Sequence, residues 1–508
     1  MIRILLLLLT AFLSAASSQS IDGVVLSNDA WPRATTLKEW TADVMRISGN
    51  ANASETAQGK TFFEWLRLFS RMAVGGMIQS FEGTPGKEAS VLDAHKQLFV
   101  YGWGFCDTTS RIAEAAWQEY KGDPRSAERV ITQHEDGGYH TMYRLRMDNA
   151  YGAFDPRYGY YLVDRDKPDA RVLDWAELHG KFETNRAYRH RSRPFFEIAG
   201  IEWERALLLH PAYFVSESAW RAAGAPKEHV FGNGQYRMGT AFHDMSFSLP
   251  PGTTVTRYWD NSARKFYVPS GQHTKREWPF LPSGRFYRVA ETSHNGNWPA
   301  HDPNYQRMKP YLGTIPTNEG YPPDLAGSRS IGQAYGVIEY APGNKTPVPP
   351  VLDLRSPYVL VDGTVDIPPG TTAEIRTLEP KPRHAAEPDR WSEWSPLSGK
   401  AALQIHGKYR FQVRLSGPGR QQVKLLVYFE NSMTSIPPLF AGANTVRLRV
   451  ADPAALRRQV TVTYRYQTAG GQRQHRQVLQ VSDFRGNEAV YQANAPGLLR
   501  CESVAIMY

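Results

Sequence analysis

Three residue types, met in one order, carry the reactive chemistry of this chain. Cys106 stands in Trp103-Gly104-Phe105-Cys106-Asp107-Thr108-Thr109-Ser110, His140 follows in Tyr139-His140, and Asp155 stands in Gly152-Ala153-Phe154-Asp155-Pro156-Arg157. A thiol, an imidazole and a carboxylate supply a nucleophile, a base for its proton and a group that orients the base. Such a set attacks acyl carbons. Alone, each residue has a plainer reading: a core cysteine, a sheet histidine, a turn carboxylate before proline. The joint order and setting point to catalysis.

The elements that must position them are legible nearby. A helix is expected to start at Cys106, with Asp107 or Thr108 as cap, a buried stripe of Ile112, Ala115 and Ala116, and a stop at Gly122 and Pro124. A thiol at a helix N-terminus meets free N–H groups and the positive dipole end, which favour the thiolate. Gly102 and Gly104 let the preceding backbone approach closely. Tyr139 to Met147 reads as a strand, Asp148-Asn149 as a turn and Tyr151 to Val163 as the returning strand. A turn on Asp148-Asn149 pairs 147 with 150, and by counting back 142 with 155 and 140 with 157. His140 and Asp155 then become diagonal neighbours on one face, roughly 7–8 Å apart. A slip of one residue would separate them.

Gly104-Phe105-Cys106 opening a helix, Tyr139-His140 in a strand and Phe154-Asp155-Pro156 in the next resemble the transglutaminase-like superfamily over about residues 88–165. The resemblance implies a papain-like Cys-His-Asp triad. Cys106 would attack an amide or acyl carbon, His140 would carry the proton to the leaving amine, and Asp155 would steady the imidazolium. The backbone N–H of Cys106 would serve the oxyanion hole, with Trp103 or Gln97 as second donor. Thr141-Met142-Tyr143 departs from the family's small-plus-aromatic pair after the histidine, and Gly122-Asp123-Pro124 stands for its Gly-Ile-Pro-like segment. The implied activity is that of a cysteine protease or acyltransferase, with a peptide or protein amide as substrate. Water as acceptor would give hydrolysis, and an amine would give crosslinking. No metal and no organic cofactor is required.

The remainder reads as export signal, scaffold and appended β structure. Met1-Ile2-Arg3, an apolar run from Ile4 to Leu13 and Ser14-Ala15-Ala16-Ser17-Ser18 form a cleavable signal peptide. The expected location is therefore secreted or periplasmic, with no membrane-spanning segment after cleavage. Helical spacing of Phe62, Leu66 and Phe69 predicts a helix before Gly75-Gly76. A proline-rich Gly343 to Pro350 reads as a linker. Strands recur beyond it at 358–365, 371–378, 409–415, 423–429, 445–450, 460–466 and 478–481. The expected fold class is α+β, a papain-like or transglutaminase-like core of helices plus antiparallel sheet, followed by β-sandwich modules. The expected domains are 1–18 signal, 19–235 catalytic, 236–342 β-rich and irregular, and 351–508 sandwich.

The net charge of +9 is dispersed, and no basic run alternates with aromatics, which excludes a nucleic-acid pattern. Aromatics at 12% and the charge admit a rival: a polysaccharide- or surface-binding protein, or a polysaccharide-processing enzyme. An acidic or cell-envelope polysaccharide would then be the partner, and Trp391-Ser392-Glu393-Trp394 with Tyr409 its platform. The two cysteines, Cys106 and Cys501, exclude a disulfide framework, although a Cys106–Cys501 bridge would block the thiol. His294, His301 and Asp302 lack metal-ligand spacing.

Overall fold

The computed structural model describes residues 20–72, 93–104, 106–133, 139–154, 161, 170–174, 177, 215–216, 243–263, 265, 267, 333–343, 346, 348–379 and 390–508. The signal peptide, Asp155, His294, His301 and Asp302 lie outside them. Two wide antiparallel sheets dominate. The first has nine strands and includes β1 (Ile21–Asn28), β8 (Phe247–Leu249), β11 (Val351–Arg355), β13 (Thr372–Thr377), β14 (Ser395–Leu397), β16 (Arg410–Ser416), β18 (Gly442–Arg449), β21 (Phe484–Arg485) and β22 (Glu488–Ala495). The second has eight: β9 (Thr253–Tyr258), β10 (Gln333–Tyr340), β12 (Val359–Asp366), β15 (Lys400–Ala402), β17 (Lys424–Ser432), β19 (Val460–Thr468), β20 (Gly471–Leu479) and β23 (Leu498–Met507).

Period-2 patterning builds these strands. In β16 the buried residues are Phe411, Val413 and Leu415, with Arg410, Gln412 and Arg414 turned outward. In β17 Leu425, Val427 and Phe429 face the core. Central β1 pairs antiparallel with β18 on one side and β8 on the other. Asn28 Nδ2 donates to Asn444 Oδ1 at 3.1 Å across 416 residues of chain.

Between β1 and β8 the chain inserts a smaller layer: α1 (Leu37–Ile47), α2 (Glu55–Phe69), β2 (Arg71–Met72), a π-helical turn at Lys96–Tyr101, β3 (Trp103–Gly104), α3 (Cys106–Lys121) and a four-stranded sheet. That sheet runs β6 (Ala150–Phe154), β5 (Tyr139–Met147), β4 (Ala127–Gln133), β7 (Val215–Ser216). Thr36 caps α1 by accepting from Glu39 N at 3.1 Å, and Ser54 caps α2 through Ala57 N at 3.3 Å. Trp31, Trp40, Trp65 and Phe69 form an aromatic core, with Trp31 5.3 Å from Trp65 and 5.4 Å from Phe69. Trp31 Nε1 donates to Thr434 O at 2.8 Å and so ties this layer to the sandwich.

The papain-like α+β core expected from sequence is overturned. Antiparallel β-sheet dominates the described residues, and the helices belong to an insertion within a β-sandwich. Local helical patterning around Cys106 hid the long-range pairing of β1 with β18, which sets the architecture. Strands β8, β9 and β10 belong to the large sheets too, so the sheets run across the boundaries drawn at 235 and at 342–351. Among the described residues, no helix is long and apolar enough to cross a membrane.

Candidate functional site

Helix α3 begins at Cys106 and ends at Lys121, before Gly122 at φ 65°. Ile112, Ala115 and Ala116 are fully buried along it, as their spacing predicts. Asp107 and Thr108 fall inside the first turn rather than at the cap. Four contacts fix where that turn sits. Gly102 adopts a left-handed φ of 68°, and a Cβ added there would lie 2.3 Å from Ser432 Oγ. Its N–H donates to Gln97 O at 2.9 Å, closing the π-helical turn. Ser70 Oγ and Thr109 Oγ1 are 2.9 Å apart. Ser110, one turn on from Cys106, donates to Thr141 O at 3.4 Å, next in chain to His140.

The hairpin that carries His140 turns where the sequence predicts. Asp148 and Asn149 have φ of 49° and 69°, the paired left-handed residues of a tight hairpin. Met147 pairs with Ala150 and Tyr143 with Phe154, the last described residue before Asp155. His140 pairs with Thr132 of β4. Thr141, Tyr143, Leu145 and Met147 are buried, and Tyr143 stacks on Phe154 at 5.6 Å. Arg144 and Arg146 alternate with them and pair with Glu128 and Asp123. The turn is locked to α2, because Asp148 accepts from Thr56 N at 3.0 Å and Thr56 Oγ1 at 2.8 Å. Glu55 in return accepts from Asp148 N at 2.7 Å and from Lys121 Nζ at 2.8 Å.

Of the residues singled out from sequence, Cys106, His140 and Trp103 are described through their backbone. Trp103 pairs with Arg71 in the short parallel β2–β3 ladder, and Gln97 is buried in the π-helical turn. The backbone therefore brings Cys106, Trp103, Gln97 and the strand of His140 around one helix terminus. Cys501 lies apart in β23, its thiol donating to Leu439 O at 3.7 Å. Among the described residues, no group of three or more His, Cys, Asp or Glu could hold a metal ion.

Sequence reasoning missed a polar seam where the inserted layer meets the sandwich. Leu37 N donates to His95 Nε2 at 3.4 Å, so the ring's Nδ1 carries the proton given to His243 O at 3.0 Å. Burial lowers the His95 pKa, and the neutral imidazole fits these partners. His243 N in turn donates to Asp93 Oδ2 at 2.7 Å. Lys96 Nζ lies 4.2 Å from the Tyr409 ring centroid, and the Tyr409 and Tyr101 hydroxyls are 2.9 Å apart. Glu430, 3% exposed, accepts from Tyr267 N. Burial pushes its carboxyl up to about 8, against the pull of that N–H. Glu430 and Ser432 end one strand, so the seam abuts the turn that leads to Cys106. The only local signal was an acidic residue at an outward strand position, which reads as solvated.

Trp391 and Trp394 are half-buried rungs of a stacked ladder. Arg376 lies 4.8 Å from Trp391 and 4.6 Å from Trp394, Arg410 lies 5.4 Å from Trp391, and Arg414 lies 4.6 Å from Trp394. Asp353 holds Arg410 at 2.6 Å and Glu374 holds Arg414 at 2.6 Å. Each indole thus meets two guanidinium groups, and the pair departs from an open sugar platform.

No family model matches the chain, and no curated protein is similar to it. Among solved structures, the N-terminal CBM22-1-CBM22-2 tandem domain of Paenibacillus barcinonensis Xyn10C is similar at 7% identity, covering 34% of this chain and 79% of that chain. The TM-score of 0.08 is too low to carry an argument about fold or function.

Proposed function

We propose that the chain is an exported, thiol-dependent acyl-transfer enzyme with Cys106 as nucleophile, His140 as acid and base, and Asp155 as the group that orients the imidazole. The observation that supports it best is the start of α3 at Cys106. There the free N–H groups and the helix dipole favour a thiolate, as they do at reactive cysteines generally. The chemistry needs this local arrangement and not a papain-like fold.

In the proposed cycle the imidazole of His140 takes the Cys106 proton, and the thiolate adds to an amide carbonyl carbon. Collapse of the adduct breaks the C–N bond, and the amine leaves with the proton held on His140. Water or a second amine then adds to the thioester, its proton passing to the imidazole, and the thiolate departs. Backbone N–H groups at the α3 terminus would face the oxyanion. The test is turnover of peptide amides, with and without an added primary amine, by the mature protein and by Cys106→Ala. The proposal expects a loss of at least about 10³-fold in the variant. Equal turnover by both proteins would refute it. Polysaccharide scission that survives Cys106→Ala would move the assignment to the sandwich.

A further inference from the structure

The two large sheets treat their outward arginines differently. On the nine-stranded sheet Arg410, Arg414 and Arg447 each hold a carboxylate. Toward the β20 edge of the eight-stranded sheet, Arg465 of β19, Arg476 of β20 and Arg500 of β23 are exposed, and among the described residues no carboxylate pairs with them. Glu502, in the same part of β23, accepts instead from Gln467 Nε2 and from Gln472 Nε2.

The register joins these cations to an aromatic pair. Ser503 of β23 pairs with Tyr258 on one side and with Arg465 on the other, and Arg465 pairs with Gln474. Residues directly opposed in a sheet share a face, so these four form one outward row. Tyr335 of β10 extends it, its ring stacked on Tyr258 at 4.5 Å and 7°. That stack covers one face of Tyr258, and among the described residues no other ring contact covers the second. The second face looks across β23, where Ser503 and Ala505 are small. Strands β9 and β19 stand two strand spacings apart, roughly 10 Å. Thr256 and Thr463 flank Ala505 in the next row, and Arg476 pairs with Thr463. The result is a trough with a tyrosine face for one wall, small side chains for a floor and guanidinium groups for the other wall. Burial raises the Tyr258 pKa, with Glu339 and Asp260 adding to the rise and Arg465 pulling against it, so both signs of charge stand near the ring.

Each wall selects for part of a ligand. An aromatic face is electron-rich and takes the C–H face of a sugar ring. Asp260 and Glu339 can accept from sugar hydroxyls, and threonine and glutamine side chains can meet the rest. Arg465 and Arg476 call for carboxylates, which bind guanidinium groups in fork geometry. A neutral glycan leaves those arginines unanswered, and an acidic peptide brings no C–H face for Tyr258. We infer that this trough binds a polysaccharide rich in uronic acids. It uses neither Cys106 nor the proposed reaction, and binding is read without turnover, so either reading can fail alone.

The test is calorimetric titration of the full chain with hexagalacturonate, with its methyl ester and with hexaglutamate, for wild type, Arg465→Gln, Tyr258→Ala and Arg414→Gln. Arg465 is exposed, so its variant keeps the test valid if Tyr258→Ala folds poorly. The expected result is saturable binding of hexagalacturonate by wild type and by Arg414→Gln alike. Arg465→Gln should weaken it about tenfold and Tyr258→Ala about fivefold. The ester and hexaglutamate should bind more weakly than hexagalacturonate. No saturable binding of hexagalacturonate, or an equal Kd for wild type and Arg465→Gln, overturns the inference. So does hexaglutamate matching hexagalacturonate, which would reduce the surface to bare charge, and so does the ester matching it, which would leave the arginines without a role.

Discussion

The outer face of the sandwich and the seam beneath the inserted layer treat polar groups in opposite ways. On the outer face of the nine-stranded sheet charges are paired and wetted. Arg447 bridges Asp29 at 2.6 Å and Glu488 at 2.8 Å, and Arg410 holds Asp353, with all these side chains partly exposed. In the seam, His95, Lys96, Gln97, Glu430 and Ser432 are buried. Exposed pairs contribute little to stability, although the hydrogen bonds between Arg447 and Asp29 lower the Asp29 pKa and raise that of Arg447. Buried groups shift their proton affinities, and such groups cluster at functional sites. Under the proposed function, chemistry belongs at the junction that holds the α3 terminus, and not on the aromatic ladder outside.

The largest stability effect should come from the junction's tightest approach. Gly102→Ala forces a side chain into a left-handed backbone and against Ser432, and should cost about 2–4 kcal/mol. Gly442→Ala, at φ 95° with open space around it, carries the backbone cost alone, about 1 kcal/mol. Urea unfolding of the two variants reads the difference, and equal losses would mean that the Gly102 contact is slack.

A second test separates the regions by pH. Glu430 binds its proton more tightly folded than unfolded, so between the ordinary 4.5 and about 8 the native state holds the extra proton. Wild-type stability should therefore fall as pH rises through that window and level off above it. Glu430→Gln keeps an acceptor for Tyr267 N and removes the titration, so its curve should lack this fall and lie above wild type at pH 9. Parallel curves would show that Glu430 is not desolvated. The ladder gives the smallest effect. Trp394→Ala removes two cation–π contacts at a half-buried site and should cost about 1–2 kcal/mol, without altering any reactivity at Cys106.

Local order was legible in the sequence; long-range order was not. The Asp148-Asn149 dipeptide fixed a hairpin whose register the structure reproduces as far as Phe154. Alternation located β16 and β19 to within a residue or two at each end, because one face of each strand is buried. The course of α3 to its stop at Gly122 followed from apolar spacing, whereas Asp107 and Thr108, read as its cap, lie within its first turn. The pairing of Ile21–Asn28 with Gly442–Arg449 left no local trace, since edge complementarity between distant strands is not written in either strand alone. Arg257 was equally hidden: in Thr253–Tyr258 an arginine reads as the polar phase, yet here it occupies the buried one. The seam stayed invisible for the same reason, since burial by another element reverses what Glu430 means.

The most direct test of the thiol account is the pH dependence of iodoacetamide labelling at Cys106, resolved by peptide mass, in wild type and His140→Ala. The account predicts fast labelling with a midpoint well below about 8.5, the value of an ordinary thiol, moving upward when His140 is removed. A midpoint near the ordinary value in both proteins would contradict it.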